Sequence, residues 1–195
     1  MQRGPDVIAT PPGRIPPMQD SDEADQTLLR LAREQGAATE KALEYMLHQQ
    51  AVAGQETRAG DYLVAYAVEY AEGFYARAGD ELSYQRTDAS AETNVHVEVC
   101  VRDGADGRFI PGLNVYATLF DAQGHELGTK REPFMWHPWL YHYGENWRVP
   151  GSGDYRLRIR IEQPDFRRHD VQNGRRYRGP VTVEFTRVPI KAGQK

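Results

Sequence analysis

The chain has 195 residues, the length of one domain with a short extension, and two full domains would be cramped. Its formal net charge of −4 argues against a general nucleic-acid or anionic-membrane binder, because such proteins carry a basic excess. The single cysteine, Cys100, excludes an intrachain disulfide and any multi-cysteine zinc or iron–sulfur site.

The amino-terminal part of the sequence predicts little packed structure. Residues 1–20 contain five prolines and few large apolar side chains, so we expect a disordered tail. No apolar run follows Arg3, and no window approaches 18 apolar residues, so we expect neither a signal peptide nor a membrane-spanning helix in this chain.

Residues 21–55 are predicted to form a helical extension. An acidic stretch precedes a thin stripe of apolar side chains at helical spacing, which indicates a helix from about Asp22 to Gln50. The stripe is too thin to form a core alone. We therefore expect this helix to pack on the rest of the chain or on a second copy.

From residue 61 to residue 190 the apolar pattern has a period of two. Five segments are rich in β-branched and aromatic residues, and glycine-containing turns separate them. The segments are 62–70, 94–101, 113–120, 154–161 and 181–188. This pattern predicts an all-β fold, an antiparallel β-sandwich of about seven to nine strands.

The segment 94–101 is the first candidate for chemistry. In a strand its valines share one face, while His96, Glu98 and Cys100 share the other, because side chains alternate. These three are all potential metal ligands. A polar row facing solvent is the simpler interpretation.

The aromatic segment 134–147 is the second candidate. It contains every tryptophan of the chain, two of its six histidines and Met135. Such a segment can bind a ligand on its rings, wall a metal site, or simply pack. A thioether beside imidazoles suits copper better than magnesium or calcium, although filling a core is the commoner role of methionine.

The third candidate is His169, which lies between arginines and Asp170 after the strand ending near Ile161. A carboxylate such as Asp170 could orient its ring. An exposed charged turn is the simpler interpretation here too.

Taken in order, these motifs resemble the periplasmic iron-transporter family of bacterial ferrous-iron uptake. The resemblance covers about residues 61–188. It rests on His96-Val97-Glu98, on Met135 seven residues before His142-Tyr143-Gly144, and on Arg168-His169-Asp170. It implies an immunoglobulin-like β-sandwich that binds copper, with iron or another divalent metal as further candidates.

The resemblance also implies a ligand set and partners. The copper ligands would fall on His96, Met135, His142 and His169, with Glu98 as the neighbouring carboxylate. Trp139 stands where the family often has an acidic residue between the methionine and the histidine. The family's homodimer, its periplasmic location and its membrane iron permease become expectations for this chain.

Three functions follow from these observations. The leading hypothesis is a non-enzymatic metal-binding protein that acts in iron uptake or metal handling and does not bind nucleic acid. The alternative is a β-sandwich recognition module that binds a sugar or peptide through residues 134–147. The third is a copper redox enzyme that uses Cys100, although a buried, inert cysteine is commoner.

Overall fold

The computed structural model describes residues 15–87 and 92–195. Most of the predicted tail, residues 1–14, lies outside this range, and residues 15–20 form neither helix nor strand. Ile15 is nevertheless buried and packs against Gly104. Among the described residues, no helix is long and apolar enough to cross a bilayer.

The described residues form one helix followed by eleven strands. Helix α1 spans Gln26–Tyr45 and continues into a π-helical turn at Met46–Gln50. The strands are β1 (Ala53–Ala59), β2 (Tyr62–Glu69), β3 (Phe74–Ala78), β4 (Glu81–Gln85), β5 (Val95–Asp103), β6 (Val115–Phe120), β7 (Glu126–Glu132), β8 (Phe134–Met135), β9 (His142–Trp147), β10 (Gly153–Ile161) and β11 (Val181–Ile190).

Two antiparallel sheets face each other and confirm the predicted β-sandwich. One sheet has the order β1-β2-β5-β9-β8 and the other β11-β10-β6-β7, while β3 and β4 form a separate hairpin. Val97 and Val99 of the first sheet and Leu157 and Ile159 of the second are fully buried in the shared core. The nine strands of the two sheets lie within the predicted number.

The amino-terminal boundary of the sandwich differs from the prediction. β1 begins at Ala53 and pairs along its whole length with β2, so it belongs to the sheet and not to the helical extension. Its small and polar residues show no apolar alternation, and its strand conformation comes from hydrogen bonding to β2.

The helix packs on the outer face of the five-stranded sheet. Asp25 caps it by accepting a hydrogen bond from the backbone N–H of Leu28. Leu43 and Met46 form a small core with Ala65, Cys100 and Leu140. The helix therefore covers one part of this face, and the polar side chains of β5 and β9 lie on the rest.

Candidate metal centre

Strand β5 is buried on both faces, which overturns the interpretation of its polar row as solvent-facing. His96 is 0% exposed and Glu98 is 3% exposed. Both side chains lie on the outer face of the five-stranded sheet, opposite the valines of the core. Burying an imidazole and a carboxyl side by side is unfavourable unless they find a partner.

His142 of β9 joins this pair. Its Nε2 lies 3.6 Å from Oε1 of Glu98, and Nε2 of His96 lies 4.0 Å from the same oxygen. One donor atom from each residue lies within 4.8 Å of the other two. These separations are too long for hydrogen bonds. When several ligand atoms each lie about 2 Å from the same metal ion, they lie about 3–4 Å from one another. The separations in this cluster are close to that value.

Hydrogen bonds at the other ring nitrogens fix the tautomer of each histidine. Asn146 donates through Nδ2 to the carbonyl of Glu72, so its Oδ1 faces His96 and accepts from Nδ1–H at 3.0 Å. The Nδ1–H of His142 donates to the carbonyl of Leu140 at 3.2 Å. Both rings therefore direct the lone pair of Nε2 toward Glu98, as metal-binding histidines do.

The two Nε2 atoms are buried and have no hydrogen-bond partner among the described residues. Gly144 leaves free space beside them. A methyl group at Gly144 would lie 2.9 Å from Nε2 of His96 and 3.2 Å from Cδ2 of His142. The two unpartnered lone pairs lie beside a small space that the side chain of an alanine would fill. This arrangement is what a bound metal ion requires.

Burial sets the charge state of these groups in the metal-free protein. It lowers the pKa of His96, and it lowers the pKa of His142 to about 3, helped by the nearby His96. Burial also raises the pKa of Glu98 to about 8, and Glu69 and Glu72 add to this effect. The imidazoles are thus neutral and ready to bind a cation at neutral pH.

Met135 lies directly opposite His142 in the pairing of β8 with β9. Both residues line a cavity of about 730 Å³, whose wall also contains Glu72 and His137. The hairpin of β3 and β4 contributes Tyr75 and Tyr84 to this wall. The cavity thus connects the predicted thioether and one predicted imidazole with solvent.

Two further carboxylates lie close to Glu98, and Oε1 of Glu72 is 4.0 Å from Nε2 of His96. Oxygens of Glu69, Glu72 and Glu98 lie within 4.8 Å of one another. The ammonium group of Lys195 contacts Glu69 and lies 3.2 Å from Glu72. The cluster is therefore a mixed set of imidazole and carboxyl groups with one lysine as counter-ion.

His169 is not part of this cluster within one chain. It is exposed and lines a separate cavity with residues 20–23, which precede the first turn of α1. Trp139, near the cluster, packs instead against Tyr45 at the far end of that helix. Twenty helical residues span about 30 Å, so His169 is remote from His142. Asp170 does not orient its ring but accepts from Ser21 and Asn173.

The remaining predicted residues have structural roles. Cys100 lies in the small core under the helix, and burial raises the pKa of its thiol to about 12, which leaves it unreactive. Tyr143 and Trp147 are buried in the sandwich core and cannot form a binding surface. Of the aromatic segment, Trp136, Trp139 and Tyr141 are exposed.

Sequence reasoning missed several residues of the site. Asn146, Gly144 and Glu72 act through contacts that only the pairing of β5 with β9 and the chain after β2 create. His137 was visible in the aromatic segment. It lies two residues after Met135, the spacing that places extended side chains on one face, and this signal could have identified it.

Comparison with known proteins agrees with this fold. The model of the Fe2+ transport protein family matches residues 41–188. FetP of uropathogenic Escherichia coli strain F11, recombinantly expressed in the periplasm of E. coli, has 22% identity and a TM-score of 0.56 over 71% of this chain and 94% of FetP. Copper-reconstituted P19 of Campylobacter jejuni has 18% identity and a TM-score of 0.59 over 73% of this chain and 96% of P19. No curated protein sequence gives a significant match.

Proposed function

Because the chain belongs to the Fe2+ transport protein family, we propose that it binds copper through His96, Met135 and His142, with Glu98 beside the ion. The observation that carries this proposal is the pair of buried Nε2 lone pairs directed into the space beside Gly144. The similarity to copper-bound P19 supports the choice of metal.

The donor set favours copper on chemical grounds. Imidazoles of borderline softness and a soft thioether can hold both Cu(I) and Cu(II), whereas Mg²⁺ and Ca²⁺ prefer oxygen ligands. The carboxyl group of Glu98 offers an oxygen for Cu(II) or for another divalent ion such as iron. The protein then works as a metal-binding component of iron uptake or metal handling, and not as an enzyme.

We propose that His169 completes the site from a second copy of the chain. Its exposure and its distance from His142 exclude this role within one chain, whereas the homodimer implied by the sequence resemblance would permit it. The same resemblance supports a periplasmic location and a membrane iron permease as partner. FetP, with its similar fold, was recombinantly expressed in the periplasm, which is compatible with that location.

The first experiment is a competition titration against Cu(I) and Cu(II) chelators, together with metal analysis of protein purified without added metal. We expect one copper per chain, and we expect His96→Ala and His142→Ala to weaken binding at least about 100-fold. His125→Ala is the matched control, because His125 is exposed in a turn. Equal affinities for all four proteins would refute the site and leave the recognition module as the leading function.

Mixing variants tests the shared site. His96→Ala and His169→Ala should each abolish tight binding alone. After unfolding and refolding together, half of the dimers contain one of each chain, and each mixed dimer has one intact site. About one-quarter of the sites should therefore recover. No recovery, with a monomeric mass in solution, would place His169 outside the centre.

A further inference from the structure

We infer that His137 is a further ligand of this centre and that it binds the ion through Nδ1 from the cavity side. This inference rests on the proposed function, since it concerns the same ion. The family resemblance assigns no role to His137, which is inferred to be a ligand from its burial, its neighbours and its place in the cavity wall.

The position of His137 is the first observation. Its ring centroid lies 5.8 Å from that of His142, and the two rings line one cavity with Met135. Its edge-to-face contact with Trp139, at 5.3 Å, continues through Trp139 to Tyr45 of the helix at 5.8 Å. The helix thus supports the segment that carries His137.

The second observation is an orphaned nitrogen. Nδ1 of His137 is buried and makes no hydrogen bond within the part of the chain that the structure describes, although the residue as a whole is half-buried. Nε2 of His96 and Nε2 of His142 are in the same condition. Buried polar atoms normally find partners. Three buried imidazole nitrogens without partners point to a cation as their common ligand. His137 is not among the described residues whose ligand atoms lie within 4.8 Å of one another, so its ring must move toward the ion when the ion binds.

The electrostatic surroundings agree with this role. Glu72 lines the same cavity as His137, and oxygens of Glu69, Glu72 and Glu98 lie within 4.8 Å of one another, so this region attracts a cation. An ion that enters from solvent therefore meets the imidazole of His137 and the carboxylate of Glu72 before it reaches the more deeply buried His96.

His137 supplies a third imidazole that belongs to the same chain as His96 and His142. A single chain then offers three nitrogens and the sulfur of Met135, and His169 of a second copy would add the further nitrogen on which the tightest binding depends. Binding by His137 and binding by His169 are separate contributions, and variants of the two residues measure them separately.

The experiment observes each histidine directly. Protein labelled with ¹⁵N-histidine is compared with and without one equivalent of Cu(I), which is diamagnetic, by long-range ¹H–¹⁵N correlation of the imidazole rings. We expect coordination shifts at Nδ1 of His137 and at Nε2 of His96 and His142. The ring of the exposed His125 should not change.

Two substitutions separate coordination from packing. His137→Phe keeps an aromatic ring against Trp139 but has no donor atom, whereas His137→Ala removes both. We expect both variants to lose about 10–100-fold in Cu(I) affinity and His125→Ala to lose none. If His137→Phe binds like the parent, or if the Nδ1 signal stays unshifted while His96 and His142 shift, the inference is wrong. If His96 and His142 also stay unshifted, the proposed function itself fails.

Discussion

Gly144 lies directly opposite Glu98 in the pairing of β5 with β9. Because Gly144 has no side chain, it leaves free space next to the carboxyl group of Glu98. On an antiparallel pair, opposite residues point to the same side of the sheet. Here the vacant side is the one that carries His96 and His142. The size of this space is set by a glycine, and the sequence Tyr143-Gly144-Glu145 is therefore as important to the site as its ligands.

Gly144→Ala should block metal binding while leaving the fold intact. The added methyl group would lie 2.9 Å from Nε2 of His96, in the position where an ion would approach. We expect a loss of copper affinity of at least about 100-fold with a thermal midpoint within a few degrees of the parent. Gly151→Ala is the control, because a methyl there would meet no described atom within 4 Å. Copper titration and thermal unfolding measure the two effects.

Asn146→Ala should weaken copper binding without removing a ligand. The side chain of Asn146 accepts from Nδ1–H of His96 and so keeps Nε2 unprotonated. Loss of such a partner of a ligating histidine typically costs about 10–100-fold in affinity. Asn146→Asp retains an acceptor and should recover part of the loss. Asn114→Ala, on the surface, should have no effect, and equal affinities for Asn146→Ala and Asn114→Ala would contradict the role of Asn146.

Met135→Leu should reduce affinity for Cu(I) more than for Cu(II). The substitution keeps the volume and apolar character of the side chain but removes the soft sulfur donor that Cu(I) prefers. The matched control is Met46→Leu, because Met46 is buried under the helix and away from the cavity. Competition with chelators for each oxidation state gives the comparison. Parallel losses for both states would exclude the thioether as a ligand.

The strands that sequence analysis located are those with apolar alternation. Val95 and Val97, for example, reveal the core face of β5, because a buried face requires apolar side chains at alternate positions. Several of the missed strands, such as β7, are polar. β7 reads Glu-Leu-Gly-Thr-Lys-Arg-Glu, and its conformation depends on pairing with β6. Such pairing is a tertiary effect that a local pattern does not contain.

The same limit applies to the site. His96, Glu98 and His142 were predicted as ligands, and the structure brings them together because β5 and β9 are neighbours. Their burial was not predictable, since nothing in the sequence shows that the outer face of this sheet is covered. The separation of His169 from His142 depends on where the segment after β10 packs, which is against the start of the helix.

Gly36→Ala should loosen the helix from the sandwich. The carbonyl oxygen of Asp106 would lie 1.7 Å from an added methyl group, so helix and loop must move apart. We expect a loss of about 1–3 kcal/mol in the free energy of unfolding, the usual cost of overpacking. Ala37→Ser, at an exposed neighbouring position, should change stability little. Urea unfolding measures both variants. An unchanged midpoint for Gly36→Ala would mean that the helix is not firmly docked.

The charge of Glu98 should make the stability of the metal-free protein depend on pH. Its pKa is about 8 in the folded chain against an ordinary value of 4.5, so the folded state holds a proton that the unfolded state releases. The resulting stabilisation is complete below about pH 4.5 and is lost as the pH rises toward 8. The glutamine side chain in Glu98→Gln is uncharged at every pH, so this variant should not lose stability in this way as the pH rises.

The difference between parent and Glu98→Gln isolates this group, because His96, His142, Glu69, Glu72 and Lys195 are present in both proteins. In metal-free protein we expect the free energy of unfolding of Glu98→Gln to rise relative to that of the parent between pH 5 and pH 9. At pH 9 the relative increase should be a few kcal/mol. With copper bound, the parent should be more stable than Glu98→Gln at pH 8.5, because the cation stabilises the ionised carboxylate and only the parent has one. Chemical unfolding across this pH range, with and without copper, makes the comparison. A difference that does not change with pH would mean that Glu98 is ionised in the metal-free protein, and the assignment of its proton would then be wrong.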